Sequence, residues 1–577
     1  MGDRGKAVMA NEVRPCGVPR RSFGYFPIAG KVPRPAGRNP VKLPAARRVV
    51  APYEKEETTL TVAGGETPPK NNSSGTVMKL YFRQECSNLP LERYKYSVEQ
   101  AMLSLFPGEK PVYVSDPISE TDSGPWAELV MNQEGDRLHV QVGLCVQGNS
   151  AVQSLGESLS GTEFEREGQR RRAVVRCFFL ITQHVTGAAP PWGMLTGVRP
   201  VKLPTRALRR GLLPKEAQGE LECLYQVAPE RAKLAVDCAQ ASLVVDRAVR
   251  EDQVSLYIGI PFCPTRCAYC SFVSADVGRT LKLVEPYLAA VLEEVEYTGR
   301  VLKESGLSIH SLYVGGGTPT TLSAGQLERL FSAARAHLPL ETCVEYTVEA
   351  GRPDTITREK LEVLRDQGVE RISINPQTLE DQVLAAIGRK HSARDILDAY
   401  ALAREVGFDS INMDLIAGLP RDSFEGFRRS LEGVLSLEPE NVTVHTLALK
   451  KGSRLMEEGG ALPSGEETAR MLDFSRETLR GAGYLPYYLY RQKYMSGSLE
   501  NVGWCLPGKE SVYNIIMMEE LQTVVSIGGG GVTKLVDRKN GRIVRLPNPK
   551  YPHDYLTSRD KILAQKDEIA AFYRDRT

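Results

Sequence analysis

Hydrophobic and polar positions follow two alternating periods through the second half of the chain. Short apolar runs typical of buried strands recur about every 35 residues from Val254 onward. They are Leu256–Ile260, Ser311–Val314, Val344–Val348, Arg371–Ile374, Ser410–Met413 and Val442–His445. Amphipathic segments with helical spacing lie between them: Val284–Lys303, Ala324–Ala336, Arg358–Gln367, Ala393–Val406 and Phe424–Leu437. The alternation predicts an α/β fold with a parallel sheet, and six units, fewer than the eight of a closed barrel, predict a partial (β/α)6 barrel.

The preceding residues have a different pattern. Short alternating runs predict strands at Met78–Phe82, Val112–Val114, Ala127–Met131 and Leu138–Val142. Ala173–Thr182 is consistent with a buried helix or strand, 215–250 has helical spacing, and the Gly/Pro-rich run Trp192–Pro200 predicts a structured loop. We therefore interpret 78–250 as an N-terminal accessory α+β domain, 251–450 as the barrel core and 451–577 as a C-terminal α+β extension.

Residues 1–77 differ from the rest in charge and composition. They carry a net charge of +7 and ten Pro, whereas the remaining residues carry −5, so the overall +2 hides a split. Without helical or strand periodicity, this segment is predicted to be a disordered basic tail. The alternatives are a nucleic-acid-binding or targeting arm, and a true start at Met78 with a mis-assigned segment before it.

The composition excludes several protein classes. With 42% hydrophobic and 25% charged residues among 577, the chain is ordinary for a globular protein. Eleven Cys are too few for a disulfide scaffold of this length, and no apolar run reaches the ~18 residues of a membrane span. We therefore predict a cytoplasmic protein with mostly reduced thiols, no membrane span and no nucleic-acid partner.

Polar, glycine or cysteine residues follow the end of each predicted barrel strand. The segments in strand order are Pro261–Cys270, Gly315–Pro319, Glu349, Asn375–Gln377, Asp414, and Thr446 with Ala448. Loops after the carboxyl ends of barrel strands share one face, which is where active sites of barrels lie. We expect these residues to form the functional site.

Cys263, Cys267 and Cys270 carry the strongest chemical signal. Their close spacing on one loop lets three thiolates surround a single soft metal centre. Iron–sulfur clusters are held by Cys thiolates, usually four. A loop with three would leave one iron of a [4Fe–4S] cluster open for another ligand, since no further Cys follows before Cys343. The alternatives are a zinc site, which needs a fourth ligand nearby, and three unrelated buried thiols.

The same segments resemble the radical S-adenosylmethionine (SAM) superfamily. Cys-x3-Cys-x2-Cys after the strand Tyr257–Ile260 is similar to its cluster signature, and Gly315–Pro319 to its second motif. Over roughly Val254 to Val532 the chain resembles the oxygen-independent coproporphyrinogen III oxidase (dehydrogenase) family. The segments that carry this likeness are Tyr257–Cys263, Gly315–Thr320 and Asn412–Pro420. The cysteine loop, Trp192–Pro200 and the long N-terminal region are similar to the HemZ-like branch.

This resemblance implies cofactors and site residues. Cys263, Cys267 and Cys270 would hold a [4Fe–4S] cluster whose fourth site binds SAM. Tyr257, Gly316 and Glu349 would contact that SAM, and Tyr269 would flank it. Other positions match the lining of SAM sites, including a second SAM: Gly317, Thr318, Gln377, Arg389, Asp414 and Ala448. Leu535 falls where a C-terminal loop meets the cofactor. No acid–base catalytic residue is implied, because the cofactors carry the chemistry.

The family's activity implies a radical oxidoreductase of haem and porphyrin biosynthesis. A low-potential donor such as ferredoxin or flavodoxin would reduce the cluster. Reductive cleavage of SAM would give a 5′-deoxyadenosyl radical that takes hydrogen from a propionate. Two oxidative decarboxylations would then convert coproporphyrinogen III to protoporphyrinogen IX. Cations at loop positions are candidates for the substrate carboxylates: Arg389, Lys390, Lys450, Lys451, Arg454, Arg491 and Lys493.

Two departures from the family pattern keep other functions open. Phe272 stands where decarboxylating members carry a further Cys, which the related haem chaperones also lack, and Gly388–His391 resembles the chaperones too. Tyr490–Tyr494 lacks the His-Phe-Ala type of motif found in relatives. The alternatives are therefore a haem chaperone of the radical SAM type, and a radical SAM enzyme acting on another tetrapyrrole.

Overall fold

The structure, a computed structural model, describes most of the chain after residue 77. The described residues are 58–63, 78–83, 89, 91–106, 111–115, 125–187, 189–195, 197–270, 275–449, 453–458, 462–492 and 499–574. Most of the predicted disordered tail, 1–77, lies outside them. Within it, however, Thr58–Ala63 forms a strand paired antiparallel with Asn149–Ser158. The absence of structure predicted for this stretch is therefore wrong, because a Thr/Val-rich run gains ladder hydrogen bonds without a clear apolar alternation.

A six-stranded sheet with two helices forms the first part of the described chain. Its elements are β1 (Thr58–Ala63), β2 (Met78–Arg83), α1 (Lys95–Leu105), β3 (Pro111–Val114), β4 (Trp126–Glu134), β5 (Arg137–Val146), β6 (Asn149–Ser158) and α2 (Glu163–Thr186). The strand order is β1-β6-β5-β4-β2-β3, in which β2 pairs parallel with both β3 and β4 and the other pairs are antiparallel. Val140, Val174 and Phe178 are fully buried in the core of this unit. The four predicted strands are confirmed, and Ala173–Thr182 is helical.

Strand β6 was absent from the sequence-based prediction. It follows β5 through a tight hairpin in which Gln147 and Gly148 have φ of 54° and 82°, the geometry of a two-residue turn with Gly at its second position. Its Ser, Gln and Gly residues dilute the apolar alternation, so only Ala151 and Leu155 show it clearly. Pairing with β5 and β1 on both sides stabilises the strand instead.

Three helices then lead into the barrel, in agreement with the helical spacing of 215–250. They are α3 (Lys202–Arg209), α4 (Pro214–Tyr225) and α5 (Pro229–Ala248). Their buried side chains share a hydrophobic core with the barrel, whereas β1–β6, α1 and α2 have a core of their own. The interpreted unit 78–250 is therefore divided by packing after α2. No helix in the described ranges is long and apolar enough to cross a membrane.

The barrel contains the six strands and five long helices that the periodicity predicts. In chain order its elements are β7 (Gln253–Ile260), β8 (Phe262–Cys263), β9 (Ala275–Asp276), α6 (Val277–Thr280), α7 (Val284–Glu304), β10 (Ser308–Gly316), α8 (Ala324–His337), β11 (Glu345–Gly351), α9 (Arg358–Asp366), β12 (Arg371–Ile374), α10 (Asp381–Ala386), α11 (Ala393–Val406), β13 (Ser410–Ala417), α12 (Phe424–Leu435) and β14 (Asn441–Thr446). Strands β7 and β10–β14 are parallel neighbours in that order. The partial (β/α)6 barrel is confirmed.

The C-terminal residues extend both edges of this sheet. They form α13 (Arg454–Glu458), α14 (Gly465–Gly481), β15 (Leu485–Tyr490), β16 (Asn501–Cys505), α15 (Val512–Glu519), β17 (Val524–Gly528), β18 (Val532–Asp537), β19 (Arg542–Pro547), α16 (Pro552–Thr557) and α17 (Arg559–Arg574). Strand β16 pairs antiparallel with β14 and β15, whereas β17 pairs parallel with β7 and precedes the hairpin β18–β19. Among the described strands, the sheet ends at β15 and β19 and does not close.

Helix α15 packs against β10 and β15, on the inner side of this open sheet. Glu345 at the start of β11 accepts hydrogen bonds from the Ser511 hydroxyl (2.9 Å) and the Val512 amide (2.6 Å), which satisfies the helix N-terminus. The Tyr513 ring stacks on Tyr313 of β10, with ring centroids 4.6 Å apart. The helix is therefore fixed to the barrel strands by its first turn.

A buried ion pair holds the turn between β17 and β18 from behind. Lys566 of α17 lies 2.8 Å from Glu294 of α7, and both side chains are almost fully buried. Glu294 also accepts hydrogen bonds from the Gly528 amide (2.8 Å) and the Asn548 side chain (3.0 Å). Lys566 also donates to the Ser526 carbonyl. Two helices thus position the backbone at the carboxyl end of β17.

Lys566→Met is expected to lower the free energy of unfolding by about 3–5 kcal/mol, because it leaves the Glu294 carboxylate buried without its cation. Denaturant unfolding followed by circular dichroism measures this loss. Adding Glu294→Gln should recover part of it, since no uncompensated charge then remains. Lys561→Met, at an exposed position of the same helix, is the matched control and should change stability by less than about 0.5 kcal/mol. Equal effects of the two Lys variants would contradict the prediction.

Candidate functional site

The segment Cys263–Cys270, called the Cys loop below, leaves the carboxyl end of β7 and is held by neighbouring loops. The Ala268 amide donates to the Ile387 carbonyl at 3.0 Å, and the Ala268 carbonyl accepts from the Leu455 amide at 3.0 Å. Backbone hydrogen bonds from the β12–α11 connection and from α13 therefore fix the position of the loop. A turn with a 3.2 Å hydrogen bond from the Cys270 amide to the Cys267 carbonyl ends it.

A buried guanidinium fixes the first half of the Cys loop. Arg352, after β11, donates to the Thr265 hydroxyl at 2.8 Å and to its carbonyl at 3.2 Å. The same guanidinium makes two hydrogen bonds to Asp354, at 2.9 and 2.7 Å. Burial opposes ionisation of Asp354, but His391, whose ring nitrogen is 3.7 Å away, and the hydrogen bonds from Arg352 outweigh burial and hold the pKa of Asp354 well below the usual range. The result is a rigid charged tether behind the loop.

The three thiols of the Cys loop are half-buried and unoxidised. The Cys263 sulfur lies 3.5 Å from the hydroxyl of Thr318, which follows the glycine triplet. Across the described ranges, no three His, Cys, Asp or Glu side chains form a ready metal-binding group. The thiols are therefore donors gathered on one constrained loop, without a preformed cage.

The glycine triplet at the end of β10 packs against both the Cys loop and β11. A Cβ on Gly317 would stand 2.5 Å from the Phe262 carbonyl oxygen, and one on Gly315 would stand 2.9 Å from the Glu349 carboxyl. Gly316 has φ of 116°, which side chains disfavour. The Gly317 amide donates to the Ile260 carbonyl at 2.8 Å. Close packing inside the protein therefore requires glycine at these positions, whether or not a ligand binds beside them.

Glu349 lies half-buried beside this triplet. Its carboxyl accepts hydrogen bonds from the Tyr313 hydroxyl at 2.6 Å and from the Gly316 amide at 3.2 Å. Burial raises the pKa of Glu349 to about 7, with Tyr313 acting against the rise and the charge of Asp414 adding to it. An incoming cation would favour the ionised form. Glu349 is therefore poised to bind a positively charged group.

Tyr257 of β7 stands on the other side of the triplet. Its hydroxyl oxygen is 3.3 Å from the place that a Cβ on Gly316 would take. The ring stacks on Tyr313 with a centroid distance of 6.3 Å. Burial, and then the negative charge of Glu349, raises the pKa of Tyr257, so its hydroxyl stays neutral. The structure thus brings Tyr257, Gly316 and Glu349 together, as the sequence suggested.

Asp414 and Gln377 form a second polar group: Gln377 follows β12, whereas Asp414 lies inside β13, which runs to Ala417, beyond the end at Met413 that the sequence suggested. The Gln377 amide donates to the Asp414 carbonyl at 2.8 Å, and Gln377 has φ of 68°. Asp414 accepts from Asn412 at 2.7 Å and lies 3.6 Å from His445. Burial opposes ionisation of Asp414, but hydrogen bonding and the charge of His445 outweigh it, so the pKa is lowered. Tyr490, 3.5 Å from the other His445 ring nitrogen, completes the group.

Arg389 joins the Cys loop from the opposite side. Its guanidinium, buried at 8% exposure, donates to the Asn375 carbonyl (3.0 Å) and the Tyr269 hydroxyl (3.3 Å). Burial acts against its charge, but Tyr269 and then Cys267 raise the pKa of Arg389, and Cys267 also hydrogen-bonds to it. The guanidinium therefore stays charged directly beside one thiol.

Ala448 is half-buried two residues after the end of β14, as the sequence suggested. One of the suggested residues is placed differently. Leu535 is 2% exposed within β18, not in a loop. Its neighbour Lys534 pairs with Val524, which in turn pairs with Ser255 at the amino-terminal half of β7. The register thus puts Leu535 away from the Cys loop, which corrects the expectation of a cofactor contact.

The cations suggested to bind the substrate carboxylates also differ in their placement. Arg491 is buried beneath the Trp192 ring, 5.5 Å from its centroid, and donates to carbonyls of the preceding accessory loop. That guanidinium is engaged by the accessory loop, contrary to the suggestion that it binds substrate carboxylates. Lys390 and Arg454 are exposed. Lys450, Lys451 and Lys493 lie outside the described residues, as does Phe272.

Sequence reasoning missed Tyr313, His445, Tyr490 and Arg352. Tyr313 could have been found, because it is paired in register with Tyr257 on the same face of neighbouring strands. The approach of His445 and Tyr490 depends on the antiparallel return of β15 and β16 beside β14, which has no local sequence signal. The Arg352 tether joins residues 87 positions apart.

Comparisons with known proteins show which families the chain resembles. The family model of the radical SAM superfamily matches residues 257–432. The chain is 40% identical over 424 residues to the oxygen-independent coproporphyrinogen-III oxidase-like protein HemZ of Bacillus subtilis, covering 72% of this chain and 85% of that protein. It is 32% identical to the heme chaperone HemW of Lactococcus lactis, covering 55% of this chain and 79% of that protein.

The chain is also similar to two proteins that are named coproporphyrinogen III oxidase. The oxygen-independent coproporphyrinogen III oxidase of Pseudomonas aeruginosa is 34% identical over 240 residues, 40% of this chain and 51% of that protein. The solved structure of the coproporphyrinogen III oxidase HemN of Escherichia coli, described as a radical SAM enzyme, superimposes with a TM-score of 0.45 at 25% identity, covering 56% of this chain and 72% of that one.

Tyr313→Phe is expected to raise the pKa of Glu349 further above about 7, because it removes a hydrogen bond that favours the carboxylate. The rise should be about one to two pH units, the equivalent of one hydrogen bond to a charged group. Carbon-13 NMR of labelled glutamate, assigned with Glu349→Gln, measures it. Tyr346→Phe, which removes a buried hydroxyl without a hydrogen-bond partner, is the control and should leave the pKa unchanged. An unaltered titration in Tyr313→Phe would refute the assignment.

Proposed function

This chain belongs to the radical SAM superfamily and, within it, to the family of oxygen-independent coproporphyrinogen-III oxidase-like proteins, and on this basis we propose that it is a radical SAM oxidoreductase acting on a porphyrinogen. Membership of the superfamily implies a [4Fe–4S] cluster and SAM. The reaction we assign is oxidative decarboxylation of propionates to vinyl groups, which converts coproporphyrinogen III to protoporphyrinogen IX.

Cys263, Cys267 and Cys270 would hold the cluster. The donor set fits, because iron–sulfur clusters are bound by thiolates and the three sulfurs sit half-buried on one tethered loop. Three protein ligands leave one iron for SAM. Arg389 next to Cys267 supplies positive charge and hydrogen bonding to a ligand sulfur, which tunes the potential of such clusters.

Glu349, Gly316 and Tyr257 would receive the cluster-bound SAM. A carboxylate whose pKa stands near 7 gains most from a neighbouring ammonium group, because the cation offsets the burial that disfavours its charge. Gln377, Asp414, Thr318 and Gly317 lie along the same rim and would complete one or two SAM sites; Asp414, ionised by its hydrogen bonds, suits ribose hydroxyls. Tyr269 would flank the cofactor through its contact with Arg389.

When bound, the cluster and SAM supply the electron and the radical that abstracts hydrogen from the propionate β-carbon. The chain's residues would bind and orient these groups and shield the reaction from water. The observation that carries the proposal is the convergence of the Cys loop, the glycine triplet, Glu349, Gln377 and Asp414 in or just after the carboxyl-terminal halves of five consecutive parallel strands. Such a concentration exceeds what a structural scaffold needs.

A haem chaperone is the second candidate. It is favoured by Phe272 in place of the additional Cys and by relatives named heme chaperone. The same cluster and SAM residues would be retained, but haem would be bound and transferred instead of a porphyrinogen being oxidised. The two candidates differ in whether SAM consumption is coupled to loss of carbon dioxide.

Anaerobic incubation with SAM, a reductant, an electron acceptor and coproporphyrinogen III should give protoporphyrinogen IX. Each propionate converted should yield one carbon dioxide and one 5′-deoxyadenosine and deliver one electron to the acceptor. Liquid chromatography with mass spectrometry measures protoporphyrinogen IX and 5′-deoxyadenosine. Absence of product from a protein with verified iron and sulfide, together with tight haem binding, would reject the enzyme and favour the chaperone.

Replacing Cys263, Cys267 and Cys270 together by Ala should remove bound iron and sulfide and the absorbance near 400 nm. Cys343→Ala is the control, because Cys343 is also half-buried but hydrogen-bonds to the Glu345 carbonyl at the start of β11; its iron content should equal that of the unaltered chain. Full iron and sulfide in the triple variant would exclude these residues as the cluster ligands.

A further inference from the structure

We propose that His445 and Tyr490 form a two-donor clamp for one propionate carboxylate of the tetrapyrrole. The inference rests on the proposed function, since it assumes a carboxylated tetrapyrrole in the barrel. It holds for the porphyrinogen and the haem candidates alike, because both ligands carry propionates. It deepens that function by naming the side chains that bind a carboxylate, neither of which was among the cations that the sequence suggested.

His445 lies on the inner face of the sheet near the carboxyl end of β14. Thr443, two residues earlier, donates to Asn412 at 3.0 Å, and Asn412 donates to Asp414 at 2.7 Å. Side chains two residues apart on a strand share a face. The imidazole therefore faces the same interior as Asp414, beside the groups assigned to SAM.

The polar contacts of the His445 ring are long, and the side chain stays accessible. Nε2 lies 3.6 Å from a carboxylate oxygen of Asp414, and Nδ1 lies 3.5 Å from the hydroxyl of Tyr490. The His445 side chain is 25% exposed. A carboxylate beside one ring nitrogen favours a proton on that nitrogen. The other nitrogen stands next to a hydroxyl that can itself donate.

A carboxylate is complementary to this second nitrogen and hydroxyl. Its two oxygens can each accept from one donor, as they do in bidentate pairs. An arriving anion favours the doubly protonated imidazole, in which Nδ1–H donates to one oxygen while Tyr490 donates to the other. Asp414, which is ionised, compensates the ring charge from the Nε2 side. Because the two ring nitrogens point away from each other, the two anions stay on opposite sides of the imidazole.

Tyr490 is fixed before any ligand arrives. Its ring is inclined by only 8° to that of Tyr488, with centroids 6.3 Å apart. Tyr488 in turn occupies the space over Gly503, where a Cβ would overlap its ring. The next residue, Arg491, donates its amide to the Val198 carbonyl at 2.7 Å. A donor that is already ordered loses little conformational freedom on binding, which favours affinity.

Two other buried cations of the barrel are less suited to this role. Arg389 is bonded to the Cys loop and to the end of β12. Arg371, the first residue of β12, lies at the opposite end of the sheet and donates to the Lys509 carbonyl at 3.0 Å. Either guanidinium would have to leave buried acceptors unsatisfied to receive a carboxylate, which is costly. His445 would give up only long contacts.

Anaerobic fluorescence titration of the cluster-loaded chain with coproporphyrin III, without reductant, tests the clamp. His445→Gln keeps the approximate size but removes the charge, and should weaken binding about tenfold, the equivalent of one hydrogen bond to a charged group. His445→Lys, which restores a cation beside Asp414, should recover most of the affinity. Tyr490→Phe should also lose about tenfold. The double variant His445→Gln/Tyr490→Phe should lose less than the product of the single losses, because both donors serve one carboxylate.

His139→Gln, at an exposed position of β5, and Tyr346→Phe are the controls and should bind coproporphyrin III as the unaltered chain does. Unchanged binding by His445→Gln would overturn the proposal. If that variant lost SAM affinity instead, His445 would serve only to position Asp414; if it lost only haem affinity, His445 would be a ligand of the haem iron. A loss that His445→Lys does not recover would assign the effect to packing and would equally overturn the clamp.

The clamp and the proposed function fail in different ways. An unaltered chain that binds coproporphyrin III through His445 and Tyr490, but forms neither protoporphyrinogen IX nor 5′-deoxyadenosine from the porphyrinogen, would reject the oxidoreductase and support the clamp. An unaltered chain that has an intact cluster and binds neither coproporphyrin III nor haem would overturn both.

Discussion

Close backbone packing at the carboxyl end of β7 is the constraint on which the rest of the site depends. A Cβ on Gly259 would stand 2.6 Å from the Gly529 carbonyl oxygen on one side, and one on Gly317 would stand 2.5 Å from the Phe262 carbonyl oxygen on the other. The Cys loop therefore starts between two glycine segments whose backbones are too close for a side chain to fit between them. Tyr287 bridges one of them, since its hydroxyl donates to the Gly259 carbonyl at 2.7 Å and accepts from the Gly529 amide at 2.6 Å. Loop position is thus set by backbone contacts that tolerate little movement.

The inner face of the sheet is polar because alternate strand residues point into it. Asn412 illustrates the pattern: it donates to Ser373 (3.3 Å) and Asp414 (2.7 Å) and accepts from Thr443 (3.0 Å), while Met413 between them is fully buried on the other face. Such cross-strand hydrogen bonds satisfy polar groups that burial would otherwise penalise. They also fix Asp414 before any ligand arrives. Asp414 is ionised, whereas Glu349 has a pKa of about 7. The site therefore offers two carboxyl groups of different charge state on one rim.

The parallel strands and the Cys loop were predictable because their signals are local: an apolar run, a helical period, three Cys on one loop. Pairings between distant residues were not. Strand β1 depends on β6 for its hydrogen bonds, and β6 carries almost no apolar alternation. The misplacement of Leu535 has the same origin, because only the antiparallel register of β18 decides which end of the sheet it reaches. A sequence motif thus identifies the residues within it. Contacts that arise when a distant strand pairs back onto the sheet can be identified only from the structure.

The accessory residues before the barrel are linked to the site through β15. Asp414 lies beside His445, whose other ring nitrogen is 3.5 Å from the Tyr490 hydroxyl. The next residue, Arg491, donates its amide to the Val198 carbonyl at 2.7 Å and packs beneath Trp192. Trp192 in turn donates to Glu500 at 2.6 Å, which pairs with buried Arg231 of α5. Because each link is buried or hydrogen-bonded, a shift of the accessory loop would move Tyr490 and alter the environment of His445. The accessory loop and α5 therefore support β15 beside the Asp414 side of the site.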